Sequence, residues 1–155
     1  MRVEINGTLN SQNSKQHIPH AFTVPQDATK LFIRLEYSPH RATGQRYNNM
    51  LCLTLFDPEG CRGARHNNPN QSLTITEFSA TPGYTPGKLQ AGTWTIFIDT
   101  HRILPPDEVE YRLEIGISDE PLNETAHEWT KATVKSRRQG WYRGDLHSHT
   151  LHSDA

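Results

Sequence analysis

Three side chains near the C-terminal end of the sequence have the types and spacing of metal ligands. In an extended strand, His147 and His149 point to the same face, with their backbones about 6.5–7 Å apart. Two imidazoles so placed can converge on one ion, each nitrogen about 2.0–2.1 Å from a zinc. Asp154 follows and could return through a loop to supply a carboxylate. Such mixed ligands, with one coordination position left open, predict a hydrolytic metal site at His147, His149 and Asp154.

Several neighbours of these residues have two interpretations each. His152 is either a further ligand or a loop residue, and Asp145 either orients a ligating histidine or is a solvated turn residue. A basic cluster just before the motif is either a phosphate-binding patch or a solvated linker. The linker interpretation is favoured, and the cluster consists of Lys131, Lys135, Arg137, Arg138 and Arg143.

Most of the chain that precedes the histidine motif reads as β-strand. Apolar residues alternate with polar ones over 31–37, 51–56, 94–99 and 109–117, which predicts strands with one buried face. Weaker strands fit three further segments, and sequences such as Asp57-Pro58-Glu59-Gly60 mark turns. These weaker segments are 2–9, 18–24 and 72–79.

Seven or eight short strands with Gly/Pro turns predict an all-β fold, an antiparallel β-sandwich of jelly-roll type, over residues 1–117. The composition becomes polar at Ser118, so we assign 118–140 to a polar linker, part of which could be helical. Residues 141–155 then form a separate unit. We expect this unit either to be mobile or to pair as a strand with another surface or another copy of the chain.

The C-terminal sequence GWYRGDLHSHTLHSDA resembles the first motif of the PHP (polymerase and histidinol phosphatase) superfamily, in particular its carbaryl-hydrolase-like branch. In that branch a β-sandwich precedes the catalytic barrel. The resemblance implies that 141–155 hold the first strand of a truncated (β/α)7 barrel and that His147, His149 and Asp154 bind part of a multinuclear metal centre. Ala155 stands where the family usually has glycine.

The resemblance implies that the whole protein is a metal-dependent phosphoesterase or related hydrolase containing Zn, Mn or Fe. The later barrel motifs are absent from these 155 residues. We therefore expect the chain to be the front of a longer enzyme, inactive alone, whose partners are the missing barrel and an ester substrate. Homo-oligomers through the tail or a sheet edge are a further expectation.

A non-catalytic sandwich that binds carbohydrate or protein is the alternative function. Its candidate binding residues are the aromatics Tyr37, Tyr47, Tyr84 and Trp94. Tyr37 and Trp94 lie in phase with aliphatic residues, so the pattern favours the core for both. An exposed row of aromatic rings would indicate a ligand site, whereas buried rings would indicate a structural role.

The amino-acid composition limits the kinds of partner and the location that this chain is expected to have. The chain has 34% hydrophobic residues and a net charge of −1, so it can form one core and shows no basic excess typical of nucleic-acid binding. It contains no run of 18 apolar residues and no signal-like N-terminus, so neither a membrane span nor export is expected. Cys52 and Cys61 are interpreted as reduced structural residues, which predicts a cytoplasmic location.

Overall fold

The computed structural model describes residues 1–66 and 71–123, and these form eight β-strands. A single 3-10 turn, Ser11–Asn13, joins the first two strands. No helix in this part of the chain is long and apolar enough to cross a membrane. The strands are β1 Arg2–Leu9, β2 Gln16–Val24, β3 Lys30–Ser38, β4 Met50–Asp57, β5 Gly60–Arg65, β6 Gln71–Thr76, β7 Gly92–Arg102 and β8 Val109–Ser118.

The strands form two antiparallel sheets of four. Sheet 1 has the order β1-β8-β3-β6, and sheet 2 has the order β2-β7-β4-β5. Six of the seven connections pass from one sheet to the other, since only β4 and β5 are consecutive within a sheet. This double-sheet arrangement of eight strands is the one that jelly rolls have. The prediction of an all-β sandwich is therefore confirmed at the level of fold class.

Alternation along each strand places the core between the sheets. Trp94, Ile96 and Ile98 of β7 are fully buried, and so are Leu31 and Ile33 of β3. Their neighbours in sequence point outward, as a period of two residues requires. Residues 109–117 and 51–56 show the same alternation of buried and outward side chains. Sequence alternation therefore predicted the strands whose inward residues are aliphatic and regularly spaced.

Strand β5 lacks this signal because its buried side chain is an arginine. The Arg62 guanidinium pairs with Asp57 at 3.1 Å and donates to the carbonyl oxygens of Thr85, Gly87 and Lys88. It also lies 5.4 Å from the centre of the Trp94 ring. A buried charge is tolerated when it is paired and hydrogen-bonded, as this one is. The sequence GCRGAR therefore forms a strand that hydrophobic periodicity could not predict.

The outer edge of β5 is covered by the segment around Tyr84. The Thr85 amide donates to the Arg62 carbonyl at 2.8 Å, and the Ala64 amide donates to the Gly83 carbonyl at 3.1 Å. Gly63 lies between them at φ +131°, and a Cβ there would meet the Gly83 carbonyl oxygen at 2.2 Å. Glycine is required because only it allows this approach. The β5 edge of sheet 2 is thereby protected from pairing with other chains.

The polar loop that contains Tyr47 is held by buried side chains. Asp107 accepts hydrogen bonds from the Thr43 amide at 3.0 Å and from the Asn49 side chain at 2.7 Å. Asn49 in turn accepts from the Leu104 amide at 2.9 Å. The bonds to Thr43 and then Asn49 lower the pKa of Asp107 below its usual value. The loop is thus fixed to the 103–108 connection rather than free in solvent.

Candidate functional site

The predicted tail site lies outside the described residues. This applies to His147, His149 and Asp154, and equally to His152, Asp145 and the basic cluster. The three proposed ligands therefore stay a prediction. So does the division of the chain at 117 and 140, although β8 ends at Ser118.

Three of the four candidate aromatic residues are buried. Trp94 is fully buried and its indole donates to the Gln90 carbonyl at 2.8 Å. Tyr37 and Tyr84 are each 8% exposed, and burial raises the pKa of both phenols. Tyr47 alone is exposed, with its ring 5.3 Å from the Arg102 guanidinium. These rings form no shared platform, so they do not provide the predicted aromatic binding face.

The outer face of sheet 2 carries the densest group of reactive side chains in the described residues. Alternation points Cys52, Thr54 and Phe56 of β4 outward, and it does the same for the odd-numbered residues of β7. Strand β2 adds His17, which lies opposite Asp99 in the pairing with β7. We call this surface the sheet 2 face, and its remaining members are Phe97, His101 and, directly after β5, His66.

A nearly buried carboxylate lies at the centre of this face. Asp99 is 6% exposed, and one of its oxygens lies 2.6 Å from Nδ1 of the largely exposed His17 ring. The Thr54 hydroxyl donates to the other carboxylate oxygen. Both carboxylate oxygens therefore have partners, as a group so poorly solvated requires.

The order of these three groups does not produce a nucleophile. Activation of a hydroxyl requires an adjacent general base that is itself oriented by a third group. Here the carboxylate stands between the other two, and the Thr54 hydroxyl donates to it rather than to the imidazole. The arrangement can hold a hydrogen-bond donor or a positive charge at the surface, but it does not prepare Thr54 for attack.

An aromatic pair completes a groove beside this carboxylate. The rings of Phe56 and Phe97 pack edge to face with centres 5.6 Å apart, and His17 meets Phe97 edge-on at 6.5 Å. Together with Thr54 and Asp99 they line a groove of about 310 Å³. Phe56 is 36% exposed, whereas Phe97 is partly buried.

A second cluster lies farther along the same face. Sγ of Cys52 is 3.6 Å from Nδ1 of His66, and the His66 and His101 ring centres are 4.1 Å apart. One ligand atom from each of the three residues lies within 4.8 Å of the other two. Sequence spacing gave no hint of this group, because its members come from three segments that only the pairing of β5, β4 and β7 brings together.

The outer face of sheet 1 is different in kind. Arg2 pairs with Glu114 at 2.7 Å, Arg112 pairs with Glu4 at 2.7 Å, and Arg34 pairs with Glu36. An open groove of about 580 Å³ runs past some of these charges, and Asn6, Thr8, Glu36, Glu110 and Arg112 are among its lining residues. Ion pairs between arginine and glutamate therefore characterise this face.

Comparisons with known proteins give similarity only at the level of structure. No protein-family profile matches the chain, and a search of curated proteins gives no match. A periplasmic inhibitor of g-type lysozyme, PliG from Aeromonas hydrophila, is similar with a TM-score of 0.42 and 11% identity over 76% of this chain and 86% of that one. Salmonella Typhimurium PliG gives 0.40 and 13%, over 76% and 87%.

These findings correct the expectations that rested on the PHP resemblance. The similar structures are all-β inhibitor proteins rather than PHP hydrolases, and no family profile supports a barrel. The phosphoesterase function, the ester substrate and the missing barrel partner rested on the PHP resemblance and are withdrawn with it. A motif of about fifteen residues specifies one strand and one loop, whereas a barrel depends on pairing with neighbouring strands. The cytoplasmic prediction is withdrawn as well: both similar proteins are periplasmic inhibitors.

Proposed function

We propose that this β-sandwich is a non-catalytic module that binds a protein partner through the sheet 2 face. The observation that carries the proposal is the groove in which the exposed Phe56 ring and the partly buried Phe97 ring adjoin a nearly buried carboxylate. Apolar rings beside a group that can bind a donor or a positive charge match the anchors that dominate protein interfaces. The partner would insert an apolar side chain against Phe97 and present a basic or amide group to Asp99.

The ring geometry favours a protein over a carbohydrate. Phe56 and Phe97 pack edge to face at an interplanar angle of 79°, so they do not form a flat surface on which a sugar ring could stack. Three of the aromatic side chains that combine a flat face with a hydrogen-bonding group, Trp94, Tyr37 and Tyr84, are buried in the sandwich, and the exposed Tyr47 is not part of the groove. An apolar pocket for a protein side chain is therefore the better use of this face.

Site-specific photo-crosslinking in cells that make the full chain tests the proposal. A photoreactive phenylalanine analogue is placed at position 56 or 97, with position 32 as the matched control. Phe32 is a partly exposed phenylalanine on the outer side of sheet 1. We expect a defined protein adduct from positions 56 and 97 that position 32 does not give. Mass spectrometry identifies the adduct, and a g-type lysozyme, the target of both similar structures, is one identity to look for.

The captured protein is then purified and titrated against variants. Phe56→Ala and Phe97→Ala should each weaken its binding by about tenfold or more, whereas Phe32→Ala should leave it unchanged. Equal adducts at all three positions would contradict the proposal, as would no adduct at 56 and 97. A partner whose affinity does not depend on Phe56 or Phe97 would overturn it as well.

A further inference from the structure

We propose that Cys52, His66 and His101 form a binding site for a thiophilic divalent transition-metal ion, with Zn²⁺ as the representative. The ion would take one thiolate sulfur and two imidazole nitrogens from the protein and keep its remaining position open. This site is separate from the aromatic groove, and it uses none of the tail residues that the sequence marks as metal ligands.

The distances suit a common ion. A zinc about 2.3 Å from a thiolate and about 2.0–2.1 Å from an imidazole holds the two ligand atoms roughly 3.5 Å apart at a tetrahedral angle. The observed separation of Sγ of Cys52 and Nδ1 of His66 is 3.6 Å. The remaining pairs lie within 4.8 Å, so a small rotation of exposed imidazole rings brings all three atoms into the coordination sphere.

Strand register explains why these three residues meet. Leu53 pairs with Arg65 in the β4–β5 ladder, which places Cys52 beside His66. On the other side, Met50 pairs with Arg102 and Leu51 with Thr100, so His101 is an extra residue in β7. An extra residue of this kind is a β-bulge, and bulges redirect side chains. Cys52 on the middle strand is thus flanked by an imidazole from each neighbour.

Donor chemistry and burial select the class of ion. Thiolate and imidazole ligands suit Zn²⁺ and related transition metals, whereas Mg²⁺ and Ca²⁺ require oxygen ligands. The Cys52 thiol is 2% exposed, while both histidines are exposed. An ion can therefore enter from solvent through the histidines and reach a sulfur that the fold shields. Three protein ligands leave a position for water or for a donor from a bound partner.

Titration of the purified full chain with Co²⁺ under reducing conditions tests the site. Co²⁺ substitutes for Zn²⁺ and reports its ligands by absorption. The protein carries no affinity tag, and His147→Gln and His149→Gln are introduced to remove the predicted tail ligands. We expect saturation at one equivalent, with a thiolate-to-cobalt charge-transfer band in the near ultraviolet and visible bands typical of tetrahedral cobalt. Added Zn²⁺ should abolish both.

Variants of the three ligands provide the discriminating controls. Cys52→Ser should remove the charge-transfer band, whereas Cys61→Ser should keep it, since Cys61 is an exposed free cysteine on β5. His66→Gln and His101→Gln should each weaken Co²⁺ binding by more than about tenfold, because loss of even an outer partner of a metal ligand costs about that much. Both residues are exposed, so these variants test binding without a change in the core.

Three results would overturn the site. They are the absence of saturable Co²⁺ binding, a band that persists in Cys52→Ser, and a band that disappears in Cys61→Ser. The outcome is independent of the proposed protein partner, because Phe56→Ala should leave the cobalt spectrum unchanged. Loss of partner binding with an intact spectrum, or the reverse, would show which of the two proposals fails.

Discussion

The two sheets enclose one core, yet they turn different chemistry toward solvent. On sheet 1, arginine and glutamate side chains pair across neighbouring strands, as in Arg2–Glu114 and Arg112–Glu4. On sheet 2 the corresponding outward positions hold phenylalanine, histidine, cysteine and a nearly buried aspartate. Exposed ion pairs keep a surface hydrated and contribute little stability. One exposed and one partly buried phenylalanine ring and a poorly solvated carboxylate do not hydrate a surface in this way.

The contrast between the two faces indicates that sheet 2 is the one available for binding. Inward positions are constrained by packing on both sheets, so any distinction between the sheets must come from the outward residues. On sheet 1 those residues form ion pairs. Sheet 2 instead presents aromatic rings, imidazoles, a thiol and a carboxylate, and most of them lie on β4 and β7, the middle strands of the sheet. Middle strands are held on both edges, so they are rigid positions for a binding site.

Replacement of Trp94 by alanine should have the largest effect, because both faces depend on the same core. Trp94 is fully buried and contacts Phe22 and Arg62. We expect a loss of about 3–5 kcal/mol in the free energy of unfolding, measured by urea denaturation. Thr95→Ala, at the next and outward position of β7, should cost far less. Equal losses would mean that the assigned inward and outward positions are wrong.

Removal of one carboxylate from each face should show that the two faces differ in how much a carboxylate contributes to stability. Asp99→Ala leaves the Thr54 hydroxyl without its acceptor and should cost about 1–3 kcal/mol, as expected for a buried hydrogen-bonded group. Glu114→Ala breaks a pair with the exposed Arg2 and should cost about 0.2–1 kcal/mol, reduced further by salt. Urea denaturation at low and high salt measures both. If Glu114→Ala lowers the free energy of unfolding as much as Asp99→Ala does, or by an amount that salt does not change, the two faces do not differ in this respect.

The pH dependence of stability should show a smaller effect. Burial lowers the pKa of His20 below its usual 6.5, and its Nε2 lies 3.4 Å from the Tyr111 hydroxyl. The unfolded chain therefore binds this proton more readily, so stability should fall as the pH drops below about 6.5. His20→Gln should reduce the fall in unfolding temperature between pH 7.5 and 5.5, whereas the control variant His40→Gln should not. If the unfolding temperature of His20→Gln falls with pH as steeply as that of the unaltered protein, the acid response comes from other histidines.

Glu4, on the outer face of sheet 1, responds at lower pH than the range of this test. Hydrogen bonds from Asn6 and then Arg112 lower the pKa of Glu4 below its usual 4.5. Its contribution is therefore present above that value and is lost only as the pH falls below it. A loss of stability between pH 7.5 and 5.5 cannot come from Glu4.

Hydrophobic alternation predicted the fold class and most of the strands. The segment 2–9 was predicted as a strand and corresponds to β1, while 94–99 and 109–117 mark β7 and β8. These predictions succeeded because burial between two sheets imposes a period of two on apolar residues. Strand β5 was missed because Arg62 takes the inward position, and its stabilising partners belong to distant segments.

The candidate sites were much less predictable. The phase of Trp94 and Tyr37 with aliphatic residues correctly indicated the core. Cys52 was interpreted as structural because no histidine lies at ligand spacing in the sequence, whereas the sheet supplies His66 and His101 from other strands. The tail motif drew attention by its local spacing, and the family it suggested was wrong. Local motifs report residues that are close in sequence, while both sites proposed on sheet 2 depend on pairing.

An antiparallel sandwich with aliphatic and aromatic inward positions follows from the residue pattern alone, because burial acts on each strand through a local period. Which outward residues become neighbours depends instead on how the strands pair. Register places His17 opposite Asp99, and a single extra residue in β7 brings His101 to Cys52. Register depends on hydrogen bonds between distant segments, and a one-residue shift would send every one of these side chains to the other face.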